Sequence, residues 1–195
     1  MRPAAHTAIA CCVLSLACAG AAVKPVVTPV KPAGDALLVL PGFGYSRAGE
    51  QAFRSLAGPM AADGVDLYVP TFVARGGLEQ SRARLRRFIR DSRLDRYAHV
   101  HVFAFIAGGW AFNPIVGTEA LPNLSTVVYD RSPYQERAPR VARDTLPLLA
   151  WVKFGPVIFD VARTPYPPAV APGIHFGVMV ETVPTSFIRR FARAA

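Results

Sequence analysis

Val100 to Phe112, VHVFAFIAGGWAF, is the stretch that decides how this chain folds. From Tyr97 to Phe105 the residues are mostly apolar, β-branched or aromatic, and the run stops at Ala107, Gly108 and Gly109. Beyond that corner the apolar residues recur at helical spacing. The pattern predicts a buried strand, a sharp turn and a helix. At the corner stands Ile106, whose side chain has no lone pair to attack a carbonyl and no proton for a base to remove.

Working outward, Ala36 to Leu40, ALLVL, is a continuous apolar run halted by Pro41-Gly42-Phe43-Gly44. It predicts a central parallel strand entering a tight glycine-rich loop. Ser46 to Asp63 places Phe53, Leu56 and Met60 at helical spacing, with Ser46 suited to the N-cap, Pro59 as a kink and Gly64 as the stop. Val65 to Val69 is the next strand. From Leu78 onward Leu85, Phe88, Ile89 and Leu94 form one stripe, while Arg82, Arg84, Arg86, Arg87, Arg90 and Arg93 fill the remainder. Glu79, Asp91 and Asp95 interleave with these arginines, and the aromatic residue of the run, Phe88, belongs to the apolar stripe and not to the arginine face where bases would stack. That argues against nucleic acid and for a solvated outer face, with anionic lipid as the lesser alternative.

Ser125 to Tyr129 predicts a fourth strand. Strand and helix alternating at about 30-residue intervals imply a mainly parallel sheet with helices on both faces, a three-layer α/β sandwich. Farther on, Glu136 to Lys153 predicts a helix interrupted at Pro147, Pro156 to Val161 and Ile174 to Val180 predict strands, and Ser186 to Ala194 a closing helix.

The chain has 195 residues, 52% of them hydrophobic, which suits one domain over 35–195 and excludes disorder throughout. A formal charge of +9 favours anionic surfaces. Residues 1–22 have the layout of a secretory signal peptide: Arg2, an apolar core from Ala8 to Ala17, then small residues. Cys11, Cys12 and Cys18 all lie inside it, and Ser15-Leu16-Ala17-Cys18 is similar to a bacterial lipobox, in which Cys18 would be lipidated. Residues 23–34, with Pro25, Pro29 and Pro32, form a semi-rigid tether. An exported protein, periplasmic, envelope-bound or secreted, is the expectation.

Together LLVLPGFG, VDLYVP, the arginine-rich helix and VHVFAFIAGGW resemble the central part of an α/β hydrolase of the lipase or esterase type. In that family the corner is the nucleophile elbow, G-x-S-x-G, and Ile106 occupies the serine position of Ala104-Phe105-Ile106-Ala107-Gly108. The resemblance implies oxyanion-hole amides at Phe43 or its neighbour Gly44 and at Ala107, beside Gly108. It implies an acid among Asp130, Asp160 and Glu181. For the base it suggests His175, which the residues alone also allow to be a half-exposed strand position. His99 and His101 are expected to pack against helices, each satisfied by a hydrogen bond. Ser46 and Ser132 are candidates for a relocated nucleophile. No histidine spacing suggests a metal site, and no cofactor is implied. The expectation is a scaffold that has lost serine hydrolase chemistry and keeps a pocket for a small acyl or lipid-like ligand. The alternatives are an ester hydrolase with a relocated serine and an envelope interaction protein.

Overall fold

The computed structural model describes residues 34–42, 47–130, 137–167, 169–180 and 183. The signal and tether, Cys18, Phe43, Gly44, Ser46, Ser132, Glu181 and the closing helix at Ser186–Ala194 lie outside the described residues.

Five strands form one parallel sheet: β1 (Asp35–Leu40), β2 (Val65–Tyr68), β3 (His99–Phe105), β4 (Leu124–Asp130) and β5 (His175–Met179), in the order β2-β1-β3-β4-β5. β1 pairs with β3 from Asp35↔His99 to Leu40↔Ala104. On its other side β3 meets β4, ending at Phe105↔Asp130, with an irregularity at Val100/His101. Six helices connect the strands: α1 (Arg47–Ala62), α2 (Leu78–Asp91), α3 (Ala107–Phe112), α4 (Arg137–Thr145), α5 (Pro147–Phe154) and α6 (Val157–Arg163).

Alternation along the strands divides the helices between two faces. Val39, Leu67 and Val69 pack with Phe53, Ala57 and Met60 of α1 on one side. On the other, Ala36, Leu38, Leu40, Val100, Val102, Ala104 and Val127 form the main core with Leu85 and Ile89 of α2 and Ala111 and Phe112 of α3. The three-layer α/β sandwich is therefore the observed architecture.

Two local expectations change. Pro156 to Val161 is not a strand: Val157, Ile158, Val161 and Ala162 are all buried on α6, a helical spacing that a six-residue apolar window conceals. Pro147 divides the expected long helix, and it does so by starting a new one, occupying the first turn of α5, where its missing N–H costs nothing. Pro59, by contrast, lies inside an unbroken α1. No helix among the described residues is long and apolar enough to cross a membrane.

Candidate functional site

The corner after β3 is a strained elbow. Ile106 has φ 39° and ψ −94°, on the positive-φ side where a β-branched L-residue does not ordinarily rest, and it is followed at once by α3. Its backbone N–H donates to the Asp130 carbonyl at 3.3 Å, tying the corner to the end of β4. The two glycines behind it are required by close approach. A Cβ at Gly108 would stand 2.8 Å from the Leu40 carbonyl oxygen, and one at Gly109 would run into the Tyr166 hydroxyl. α3 thus lies on β1 more closely than any side chain permits.

Among the described residues, the side of the elbow that faces α2 and α6 is apolar and tightly packed. Ile106 packs against a cluster of Leu78, Trp110, Val157 and Val161, joined by Val73 and Tyr166. The gap beside Ala107, lined by Phe72, Ala111, Val157 and Val161 among others, has no room for a water-sized molecule. Hydrogen bonds clamp the segment after α6 over α3. The Trp110 indole donates to the Thr164 carbonyl at 3.2 Å, and the Asn113 amide donates to the Pro167 carbonyl at 2.7 Å. Tyr129 donates to Asn113 Oδ1 at 2.8 Å, and burial pushes its hydroxyl far above the ordinary phenol range. Tyr166 meets Trp110 edge to face at 4.6 Å between centroids.

The open space lies next door. A cleft of about 320 Å³ is lined by Gly76, Gly77, Glu79, Gln80, Asp160, Arg163 and Thr164. Here Asp160 accepts the backbone N–H of Leu78 at 2.9 Å, so it caps α2, whose own N-cap residue Gly77 has no side chain to do so. Asp160 is a capping residue from 82 positions away.

The histidines are elsewhere. His175 is the first residue of β5 and pairs with Thr126, whereas the row that meets the elbow is Phe105, Asp130 and Met179. Four residues of strand, about 13 Å, separate His175 from that row. The structure does not bring it together with Ile106 or Asp130. His99 and His101 share the α1 face with it. His99 has the expected hydrogen bond, its Nδ1 lying 3.0 Å from Asp35 Oδ1, but its side chain is 61% exposed and not packed as expected, and His101 Nε2 is 3.8 Å from Asp35 Oδ2. No described histidine stands at the carboxyl edge of the sheet. Among the described residues no group of His, Cys, Asp and Glu side chains is arranged to hold a metal ion.

Sequence reasoning missed two further features. Arg82, counted among the outer arginines, turns inward: its Nε and Nη2 donate to the Trp110 carbonyl at 3.2 and 3.1 Å, joining α2 to α3, and its Nη1 pairs with Glu79. Its place on the helix, bordering the apolar stripe, was the available signal. Asp66, 2% exposed on β2, accepts from Tyr97 at 2.5 Å, and the Tyr97 and Tyr68 hydroxyls are 2.6 Å apart. Nothing in VDLYV marked Asp66 as buried.

No protein-family profile matches the sequence, and no curated protein matches it. Among solved structures the chain is similar to a Silicibacter protein assigned provisionally as a thioesterase, with 13% identity and a TM-score of 0.47. The match covers 78% of this chain and 59% of that one, so the chain spans less than two thirds of that structure's length.

Proposed function

We propose that this chain is an exported α/β-hydrolase-like protein that has no serine hydrolase activity and acts by binding. The observation that carries the reading is Ile106 itself. It holds the strained backbone geometry of an elbow at φ 39°, yet presents a hydrocarbon side chain packed among Leu78, Trp110, Val157 and Val161. Hydrolysis of an ester needs a nucleophile and a base within hydrogen-bond reach of it. Here the nucleophile position is apolar, and the three described histidines lie in the amino-terminal halves of their strands. The backbone amide of Ala107 remains at the start of α3, so an oxyanion-type donor persists without the chemistry it would serve.

Because the gap beside Ala107 has no room for a ligand, the favoured place for binding is the neighbouring cleft between the start of α2 and α6, where Glu79, Asp160 and Arg163 supply polar groups. A small ligand there, rather than a long acyl chain at the elbow, suits these walls. The direct test is labelling with a fluorophosphonate probe, which reacts with activated serines. The natural protein is expected to remain unlabelled, native or heat-denatured; native labelling abolished by denaturation would assign an active serine and refute the reading.

A further inference from the structure

α5 turns its apolar side outward. Its inward position is the small Ala150, whereas Leu148, Leu149, Trp151 and Val152 face solvent, Leu148 at 82% and Trp151 at 53% exposure. At 3.6 residues per turn these four side chains share one arc of about 160°. A folded domain ordinarily buries such an arc, and a contiguous exposed apolar patch of this kind marks a surface that something covers.

The surroundings indicate what. α5 contains no acidic residue. Lys153 borders the arc, with its ammonium 5.2 Å from the Phe154 ring centroid, and Arg75 reaches across to donate to the Val152 carbonyl at 3.0 Å. Of the nearby acids, Asp144 at the end of α4 is paired with Arg143, and Asp160 of α6 accepts the Leu78 N–H. Leucines and a tryptophan flanked by cations are the composition of an element lying at a bilayer interface: the indole settles at headgroup level, aliphatic side chains enter the acyl boundary, and lysine and arginine meet anionic phosphates. The patch is also convex and small. A two-turn helix about 12 Å long falls short of the roughly 800 Å² per partner of a standard protein interface, while a bilayer requires no matching shape.

We propose that α5 docks the domain on an anionic phospholipid bilayer, placing Leu148, Leu149, Trp151 and Val152 at the acyl boundary and Arg75 and Lys153 among the headgroups. This surface is distinct from the elbow and from the arginine face of α2, and it stands or falls separately from the non-catalytic reading.

The chain's two tryptophans make the test local, because Trp110 is 1% exposed and already shielded while Trp151 is not. The full chain is mixed with phosphatidylglycerol-containing vesicles and with pure phosphatidylcholine vesicles, and tryptophan emission is followed with and without acyl-chain quenchers. The expected result is a blue shift and quenching on the anionic vesicles that weaken in high salt and disappear in Trp151→Phe. Leu148→Asp with Leu149→Asp, both at exposed positions, is expected to lower the apparent partition about tenfold or more. Contact made elsewhere in the chain does not reproduce this pattern. Emission unchanged by anionic vesicles would overturn the proposal, as would a shift that survives the double aspartate variant. A shift that develops without vesicles as protein concentration rises would also overturn it, assigning the patch to a second copy of the chain.

Discussion

Ile106 shows what a strained corner demands of the structure around it. A β-branched residue held at φ 39° costs on the order of 1–3 kcal/mol, and that cost persists only where the surroundings determine the backbone. They do so from behind, where α3 rests on β1 through glycine. Gly108→Ala puts a methyl 2.8 Å from the Leu40 carbonyl oxygen, a backbone atom at the end of the interior strand β1 that has little freedom to step aside. Alanine's better helix propensity recovers only part of the clash, so a net loss of about 1–2 kcal/mol is expected, read as a lower denaturant midpoint at unchanged slope. The corner was legible in the sequence because an apolar run stopped at small residues. Its strain was equally implied by the resemblance; its closure was not, since Val157 and Val161 come from a segment more than 50 positions away, about which the local pattern at Ile106 is silent.

At the level of elements, α6 has the largest effect on what the site can do. Its sequence, VIFDVAR, suits a strand by composition, yet folding it as a helix buries four apolar residues, packs Val157 and Val161 against the elbow and brings Asp160 to the amino end of α2. Periodicity in a short apolar window cannot separate these outcomes, so tertiary packing decides. Asp160→Ala removes the cap from Leu78, and a loss of about 1 kcal/mol is expected, with faster hydrogen exchange at the first amides of α2. Asp160→Asn keeps an acceptor and should cost less. α5 carries the complementary lesson. Its apolar residues were visible as helix, but the side they face depended on α4 and α6, and only the structure turns them to solvent.

Across the whole molecule, a mainly parallel sheet followed from alternating strands and helices, whereas the strand order β2-β1-β3-β4-β5 and the placement of polar groups did not. Three tyrosines link helices, loops and sheet from inside. Burial is the first cause that raises Tyr68, Tyr97 and Tyr129 above the ordinary phenol value, and for Tyr97 the Asp66 carboxylate adds to it. The folded state therefore holds these protons more tightly than the unfolded chain does. Their contribution to stability is complete below the unfolded value near pH 10 and is lost as pH climbs toward the folded values. Absorbance titration should show these tyrosines ionising late, together with cooperative alkaline unfolding; early ionisation in a still-folded protein would contradict their burial.

The same view of the molecule places His99, His101 and His175 along one face, away from the elbow. This separation, with Ile106, is what makes the reading non-catalytic. The most direct measurement is hydrolysis of short and medium acyl p-nitrophenyl esters by the natural protein beside Ile106→Ser and His175→Ala. All three are expected to run at the buffer rate, because a serine at the corner would still have no described histidine within reach. Turnover by the natural protein above buffer, abolished in His175→Ala, would contradict the non-catalytic reading and require a serine elsewhere in the chain.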